Sequence, residues 1–243
     1  MKKTIVITGA SRGIGKAIAI ELAGKDTNIV INCVNNVDKL NEVKSIIEEK
    51  GSVCETFIGD MGNYSDVQKM FDMCLQRFGQ VDVLINNAGI SVVGLFQNMG
   101  ENEWHRICNT NIDSVFNCCH FAVKDMMKRH CGKIINISSV WGLYGASCEV
   151  AYSATKGAVN SFTKALAKEL APSGIQVNAV ACGAIDTEMN GHLSDDDKAE
   201  LAEEIPAGRF GSPQEVAKLV KSLSGMNLSL IHISEPTRRS YIS

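Results

Sequence analysis

Three side chains suited to acid–base chemistry stand close together in the sequence: Ser139, Tyr152 and Lys156. Tyr152 and Lys156 are four residues apart, so in a helix they share one face and lie one turn from each other. A nearby ammonium group favours the ionised form of a phenol, whose ordinary pKa is about 10. The spacing therefore predicts that Tyr152 donates or accepts a proton near neutral pH.

A glycine-rich segment follows the first short apolar run of the chain. It reads T-G-A-S-R-G-I-G and places Gly9, Gly13 and Gly15 where a predicted strand becomes a helix. Glycines at such a turn let the backbone approach a pyrophosphate, which accepts hydrogen bonds from the free N–H groups of the helix. We therefore expect a dinucleotide site, although a glycine cluster taken alone is also compatible with a simple tight turn.

The hydrophobic pattern predicts the elements that position these residues. Short runs rich in valine and isoleucine alternate with longer segments of helical period. Strands are predicted at Thr4–Thr8, Ile29–Cys33, Val53–Ile58, Val83–Asn86, Lys133–Ile137 and Ile175–Ala179, and helices at 13–24, 37–50, 63–78, 101–129, 150–171, 194–204 and 213–224. Apolar strands separated by helices indicate an α/β fold with one doubly wound parallel sheet.

Length, charge and cysteine usage narrow the function classes. The 243 residues suit one core, and 24 basic against 27 acidic residues leave a net charge of −3, without the basic surface that binds nucleic acid or an anionic membrane. No run approaches the roughly 18 apolar residues of a membrane span. The nine cysteines contain no C-x-x-C pair, and the histidines show no metal-ligand spacing. We expect a soluble cytoplasmic protein without a metal.

Polar residues at the carboxyl ends of the strands are the best candidates for cofactor contacts, because open α/β sheets bind ligands there. An acidic residue ending the second strand would bind the ribose 2′-OH, but this chain has Cys33, followed by Asn35. With Arg12 in the glycine turn, this favours NADP over NAD, unless Arg12 is only a solvated surface residue. Asp60, after the third strand, suits the adenine amino group, and a helix cap is its alternative role.

The motifs T-G-A-S-R-G-I-G, N-N-A-G and Y-S-A-T-K, with Asn111 and Ser139 in order between the last two, resemble the short-chain dehydrogenase/reductase family over about residues 3–226. The resemblance implies a Rossmann sheet of strand order 3-2-1-4-5-6. It implies that Ser139 bonds a substrate carbonyl, Tyr152 transfers the proton, Lys156 binds the ribose and lowers the tyrosine pKa, and Asn111 holds a water. The cofactor contacts it implies are Gly9, Ser11, Arg12, Gly13, Ile14, Gly15, Asn35, Asp60, Met61, Asn87, Ala88, Gly89, Tyr152, Lys156, Ile185 and Thr187.

Two segments, Lys133–Ser139 and Ile205–Pro213, are most similar to the 3-oxoacyl-[acyl-carrier-protein] reductases of that family. This implies NADPH-dependent reduction of a 3-oxoacyl thioester, acyl carrier protein as the partner, and a homotetramer. Arg129 matches a carrier-protein contact of this group, whereas the second basic contact is replaced by Ser173. Cys182 stands where the family usually has proline, so the loop after it is expected to be less rigid.

Other functions stay open. The run 140–149 also resembles a clostridial and bacillary subgroup proposed to reduce a ketone on a modified lysine of elongation factor P. Another small ketone is a third substrate class. A cofactor-binding regulator with a vestigial catalytic set belongs to a different class, and nucleotide binding without turnover would favour it.

The end of the chain departs from the family. We expect the reductase domain to cover residues 1–226, whereas 227–243 resembles a translated sequencing adapter, with a genuine variable terminus as the alternative. The usual seventh strand is then missing. A sheet that lacks its edge strand exposes unpaired backbone, which predicts an unstable or aggregation-prone chain.

Overall fold

The computed structural model describes residues 2–191, 194–227 and 229. At its centre lies a six-stranded parallel sheet of order β3-β2-β1-β4-β5-β6, which confirms the predicted doubly wound class and strand order. The strands are β1 (Lys3–Ile7), β2 (Thr27–Cys33), β3 (Val53–Ile58), β4 (Val83–Asn86), β5 (Gly132–Ser139) and β6 (Ile175–Cys182). The expectations about a seventh strand and an adapter-like tail concern residues 227–243, of which all but 227 and 229 lie outside the described ranges.

Helices cover both faces of the sheet. They are α1 (Gly13–Leu22), α2 (Val37–Glu49), α3 (Tyr64–Phe78), α4 (Glu101–Cys108), α5 (Ser114–Arg129), α6 (Trp141–Tyr144), α7 (Val150–Leu170), α8 (Asp195–Glu204) and α9 (Pro213–Gly225). Side chains cap the starts of some of them: the Asn63 side chain accepts hydrogen bonds from the first turn of α3, and Ser212 and Glu215 form a capping box at α9.

Neighbouring residues of each strand pack on opposite faces of the sheet, which produces two apolar cores. Ile5 and Ile7 of β1 join the core that contains α1, α2 and α9, whereas Val6 joins the core of α3, α5 and α7. Burying an isoleucine or valine side chain contributes about 1.5–3 kcal/mol. Both faces therefore hold the strands firmly, and the carboxyl ends of the strands become fixed positions for polar residues.

The helical span predicted at 101–129 has the predicted ends, since α4 begins at Glu101 and α5 ends at Arg129, but it is not uniform. A π-helical turn, Asn109–Asp113, separates α4 from α5. A π turn adds one residue to the helical repeat and rotates the side chains that follow. Within it, the buried Asn111 side chain bonds to Ile90 and to Thr155. These tertiary bonds, which a hydrophobic period does not encode, account for the local geometry.

Strands β5 and β6 extend beyond their predicted ends. Ser138 pairs with Ala181, and Ser139 pairs with Cys182, so the parallel ladder continues through polar residues that the apolar pattern left out. Ser139 is thus the last residue of a strand. Its position is fixed by sheet hydrogen bonds.

The structure can be searched for membrane-spanning helices and metal sites, which the sequence did not predict. In residues 2–191, 194–227 and 229, no helix is long and apolar enough to cross a membrane. Over the same residues, no group of three or more histidine, cysteine or acidic side chains is placed to hold a metal ion. All nine cysteines are free thiols.

Candidate active site

Ser139 and Tyr152 meet at the carboxyl edge of the sheet. Ser139 ends β5 and is buried, and its hydroxyl lies close enough to the half-buried phenol of Tyr152, in the first turn of α7, to influence the pKa of that phenol. The Trp141 N–H donates to Ser139 Oγ at 3.2 Å. Burial raises the pKa of Tyr152 to about 12, and the neighbouring Ser139 hydroxyl offsets part of that rise. The phenol is therefore held protonated next to a second hydroxyl.

Lys156 lies one turn further along α7, on the face the spacing predicted. Its Nζ is 5.6 Å from the centre of the Tyr152 ring and donates to the Ile137 carbonyl at 2.9 Å. Burial lowers the pKa of Lys156 to about 8. The expected lowering of the tyrosine pKa is thus not the net effect in this structure, because burial outweighs it and the ammonium group bonds a backbone carbonyl.

Asn111 packs beside this pair. Its Oδ1 accepts from the Ile90 N–H at 2.8 Å, while its Nδ2 donates to the Ile90 carbonyl at 2.9 Å and to Thr155 Oγ1 at 3.0 Å. A side chain added at Gly89 would place its Cβ 3.4 Å from both Asn111 Oδ1 and Lys156 Nζ. The four predicted catalytic residues therefore lie around one small region that glycine keeps open.

The segment between β5 and α7 is clamped onto the catalytic helix. A Cβ at Gly142 would lie 2.5 Å from the backbone carbon of Lys156, so α6 contacts α7 where no side chain intervenes. The outer face of α6 carries the exposed Leu143 and Tyr144. The Gly94 N–H donates to the Cys148 carbonyl at 2.8 Å and joins this segment to the loop after β4.

Asn87, which directly follows β4, braces the glycine turn. Gly9 has a φ of +64°, and a Cβ at Gly15 would lie 2.4 Å from both the Gly9 carbonyl oxygen and Asn87 Nδ2. Asn87 Nδ2 donates to the carbonyls of Thr8 and Gly9 at 3.0 and 2.9 Å, and Thr8 Oγ1 accepts from the N–H groups of Asn87 and Ala88. Asn87 and Ala88 therefore lie beside the turn, and Asn87 holds its shape.

The loop after β3 contains the predicted adenine contact. Asp60 Oδ1 accepts from the Gly62 N–H at 2.9 Å, and its Oδ2 accepts from Asn109 Nδ2 at 3.1 Å. The cap of α3 is Asn63, so the alternative role of Asp60 as that cap does not apply. Met61 is 2% exposed and belongs to a core, which leaves only its backbone for a cofactor.

One carboxylate, that of Glu188, pairs with a cation of the glycine turn and with a cation of α2. Arg12 Nη1 lies 3.1 Å from Glu188 Oε2, and Lys39 Nζ of α2 lies 3.1 Å from Glu188 Oε1. Hydrogen bonds from Lys39 and then Arg12 hold the pKa of Glu188 below its usual value. Arg12 thus has a carboxylate partner, and its side chain is 56% exposed. Asn35 is exposed on the nearby turn after β2.

The segment after β6 returns to the glycine turn. Ile185 forms a parallel bridge with Gly211, and the Asp186 N–H donates to the Gly211 carbonyl at 2.8 Å. Thr187 Cγ2 would lie 3.6 Å from a Cβ at Gly13. The bridge anchors the loop that lacks the family's proline. The remaining predicted residues of the turn are inward: Ser11 is buried, and Ile14 packs against a core.

Several residues at the site were missed from the sequence: Thr8, Lys39, Asn109, Thr155 and Glu188. Thr8 and Thr155 stand inside motifs that were recognised, so their hydroxyls could have been considered as braces. Lys39 and Glu188 are 149 residues apart in the sequence, and no local pattern joins them.

The contacts of Arg129 do not favour the carrier-protein role that the resemblance implied. Its guanidinium is one quarter exposed and pairs with Asp82 at 3.0 Å and Asp125 at 2.8 Å. It also donates to the Val81 carbonyl. These contacts lie at the amino edge of the sheet, away from the site. Arg129 is bound to internal partners and does not offer a free cation to an acidic carrier protein.

Most of this chain is similar in sequence to known proteins. The family model described as short chain dehydrogenase matches residues 3–198. The chain is 40% identical over 224 residues to "3-oxoacyl-[acyl-carrier-protein] reductase FabG" of Staphylococcus epidermidis, with 92% of each chain covered. It is 37% identical over 229 residues to the protein of the same name from Salmonella typhimurium, covering 94% of this chain and 92% of that one. The chain therefore belongs to the short-chain dehydrogenase/reductase family and is an oxidoreductase similar to 3-oxoacyl-[acyl-carrier-protein] reductases.

Proposed function

We propose that this chain reduces 3-oxoacyl thioesters to their 3-hydroxyacyl forms with NADPH as the reductant. The observation that carries the proposal is the convergence of Ser139, Tyr152 and Lys156 beside a braced glycine turn. Relatives named as 3-oxoacyl-[acyl-carrier-protein] reductases support the substrate class, since the similarity spans 92% of both chains.

The residues present fit a phosphorylated dinucleotide. Within the described ranges, a Cβ added at Gly13 would have two Thr187 atoms at 3.6 and 3.7 Å as its nearest contacts outside the turn and its helix, so Thr187 borders the turn on that side. Arg12 and Lys39 already hold a carboxylate, which shows that the pair accepts an anion. When bound, the reduced nicotinamide supplies a hydride to the substrate carbonyl carbon.

Two hydroxyl donors of the chain would meet the substrate oxygen as its negative charge develops. Because Ser139 Oγ accepts from the Trp141 N–H, the serine's own hydrogen is left for donation to the carbonyl oxygen. The raised pKa keeps Tyr152 protonated before reaction, so the phenol has a proton to give to the substrate oxygen. The Lys156 ammonium, 5.6 Å from the ring centre, would stabilise the phenolate that proton transfer leaves behind.

Asn111 would act through its backbone. Its side chain is committed to Ile90 and Thr155, so a water that returns a proton toward Lys156 would use the Asn111 carbonyl oxygen. The π-helical turn favours this role, because carbonyls in such a turn are not all used by the helix.

Turnover of an acetoacetyl thioester tests the function. Purified full-length protein should oxidise NADPH when the thioester is added, followed by absorbance, and Tyr152→Phe should lower kcat by about 1000-fold. Tyr64→Phe is the matched control, because Tyr64 lies on α3, is 44% exposed and should leave kcat unchanged. Failure of the unmodified protein to oxidise NADPH, or equal rates in the Tyr152 variant, would overturn the proposal.

Delivery of the substrate and assembly of the protein belong to the same proposal. We infer that acyl carrier protein presents the thioester, that the intact enzyme is a homotetramer, and that it works in the cytoplasm. The exposed Leu143 and Tyr144 beside the site provide an apolar contact for a carrier-bound acyl group. A higher kcat/KM with acetoacetyl acyl carrier protein than with the coenzyme A ester, and a tetramer in sedimentation, are the expected results.

A further inference from the structure

The two cations at the glycine turn share one carboxylate from a distant part of the chain. Glu188 Oε2 lies 3.1 Å from Arg12 Nη1 and 3.4 Å from Lys39 Nζ, and Oε1 lies 3.1 Å from the same Nζ. Arg12 belongs to the glycine turn, Lys39 to the first turn of α2 directly after the end of β2, and Glu188 to the segment after β6. Three separate elements therefore meet at this point.

The arrangement is a small anion site that the chain fills with its own anion. Cys33 ends β2, so this edge lacks the acidic residue that would receive a ribose 2′-OH, and Lys39 adds a positive charge instead. The side chains of Arg12, Lys39 and Glu188 are 56%, 50% and 51% exposed. Exposed ion pairs are weak, so a stronger anion can replace the carboxylate.

We propose that Glu188 is an internal competitor of the cofactor's 2′-phosphate: it occupies Arg12 and Lys39, and it must leave them when NADP binds. The inference rests on the proposed function, and it deepens it by assigning Lys39 and Glu188 to cofactor selection. A phosphate carries more negative charge and more acceptor oxygens than a carboxylate, so it wins the exchange. A dinucleotide without this phosphate has no group to displace Glu188.

The place of Glu188 in the chain gives its release from the two cations a second consequence. Glu188 follows Thr187, which contacts the glycine turn, and begins the short helical turn Glu188–Asn190 that leads toward α8. Asn190 Nδ2 donates to the Ile185 carbonyl at 2.8 Å and holds this turn in place. The carboxylate that leaves the cations is thus attached to the segment that borders the site.

Binding of nucleotide fragments tests the proposal without turnover. Calorimetry on the full chain would compare adenosine 2′,5′-bisphosphate with adenosine 5′-phosphate for Glu188→Gln and Lys39→Gln. Glu188→Gln should bind the bisphosphate about 3–10-fold more tightly, and Lys39→Gln about 5–10-fold more weakly. Both should leave the affinity for the 5′-phosphate within about twofold.

Glu42→Gln is the matched control, because Glu42 is an exposed glutamate on α2 and its replacement changes the net charge equally. It should leave both affinities unchanged. An unchanged or weaker bisphosphate affinity in Glu188→Gln would overturn the inference, as would an equal gain for both nucleotides. If the unmodified chain binds NADPH and reduces the thioester, such a result leaves the proposed function standing. Absence of NADPH binding in the unmodified chain would overturn both.

Discussion

The two edges of the sheet contain polar clusters of opposite character. At the amino edge, Asp82 accepts from Arg129, from the Thr4 N–H at 2.8 Å and from Gln80 at 2.9 Å. At the carboxyl edge, Ser139, Tyr152 and Lys156 keep hydrogen-bonding capacity for a ligand. A polar cluster whose partners are all internal stabilises the fold, whereas one with remaining donors is suited to bind and react. Charge and burial alone do not separate the two.

Removing a donor at the carboxyl edge should have the largest effect on activity. Ser139→Ala should lower kcat about 100–1000-fold, because one of two donors to the developing oxyanion is lost. Steady-state kinetics with NADPH and an acetoacetyl thioester measure this. Ser147→Ala, at an exposed position on the adjoining loop, should leave kcat unchanged. A Ser139 variant with normal kcat would contradict the catalytic role of the polar cluster at the carboxyl edge.

Removing the cation at the amino edge should instead lower stability. Arg129→Ala should reduce the free energy of unfolding by about 2–4 kcal/mol, because Asp82 and Asp125, only 15% and 14% exposed, lose their shared cation. Urea denaturation measures the loss, and the kcat/KM of folded enzyme for acyl carrier protein substrates should not change. Arg77→Ala, which breaks a pair with a 57% exposed arginine, should cost less than about 1 kcal/mol. Weaker carrier-protein binding in a stable Arg129 variant would restore the original interpretation.

The buried lysine predicts a particular pH dependence of stability. Lys156 has a pKa of about 8 when folded and about 10.5 when unfolded, so between these values the unfolded chain binds more protons. The free energy of unfolding contributed by this group should therefore rise by about 2 kcal/mol from pH 8 to pH 10. Tyr152, with a folded pKa of about 12 and an ordinary value of about 10, contributes an opposite trend that begins near pH 9 and is steepest between about pH 10 and pH 12.

Lys156→Met should remove this rise, whereas Lys164→Met, at an exposed position on the same helix, should retain it. Urea denaturation at several pH values measures the difference between the two variants. Parallel pH profiles for the two variants would show that Lys156 is charged equally easily in the folded and unfolded chain.

The smallest expected effect concerns the hydrogen bond that joins Asp60, in the loop after β3, to Asn109 in the π-helical turn. Asn109→Ala removes the bond to Asp60 and should raise the KM for NADPH about 3–10-fold, with a smaller change in kcat. Kinetics at varied NADPH measure both constants. Asn102→Ala, at an exposed position of α4, is the control. An unchanged KM in Asn109→Ala would mean that Gly62 alone orients the Asp60 carboxylate.

The sequence predicted best what depends on burial and on local geometry. Strand positions followed from apolar runs, and the shared face of Tyr152 and Lys156 followed from the helical repeat. The π-helical turn did not, because Asn111 is set by bonds to Ile90 and Thr155 that no periodicity records. The direction of the Tyr152 pKa also depends on burial at the end of a strand, which the spacing does not contain.

Arg129 and Arg12 show why the role of a single residue is harder to predict from the sequence than the fold. Both matched positions of known importance, but a match says nothing about the acceptors that surround a guanidinium. Arg129 has three internal acceptors, on Asp82, Asp125 and Val81. Arg12 is paired with a residue 176 positions away. Only the fold brings such partners together, so the role of each arginine had to be read from its contacts.

The bare contact at Gly142 has a consequence for how new specificities could arise. Because α6 rests on the backbone of Lys156 without an intervening side chain, its inner surface has no freedom to vary. Its outer surface, with Leu143 and Tyr144, is under no such restriction. Mutations there can diversify the molecules accepted while the proton-transfer geometry is preserved, which makes this four-residue helix a natural starting point for directed evolution.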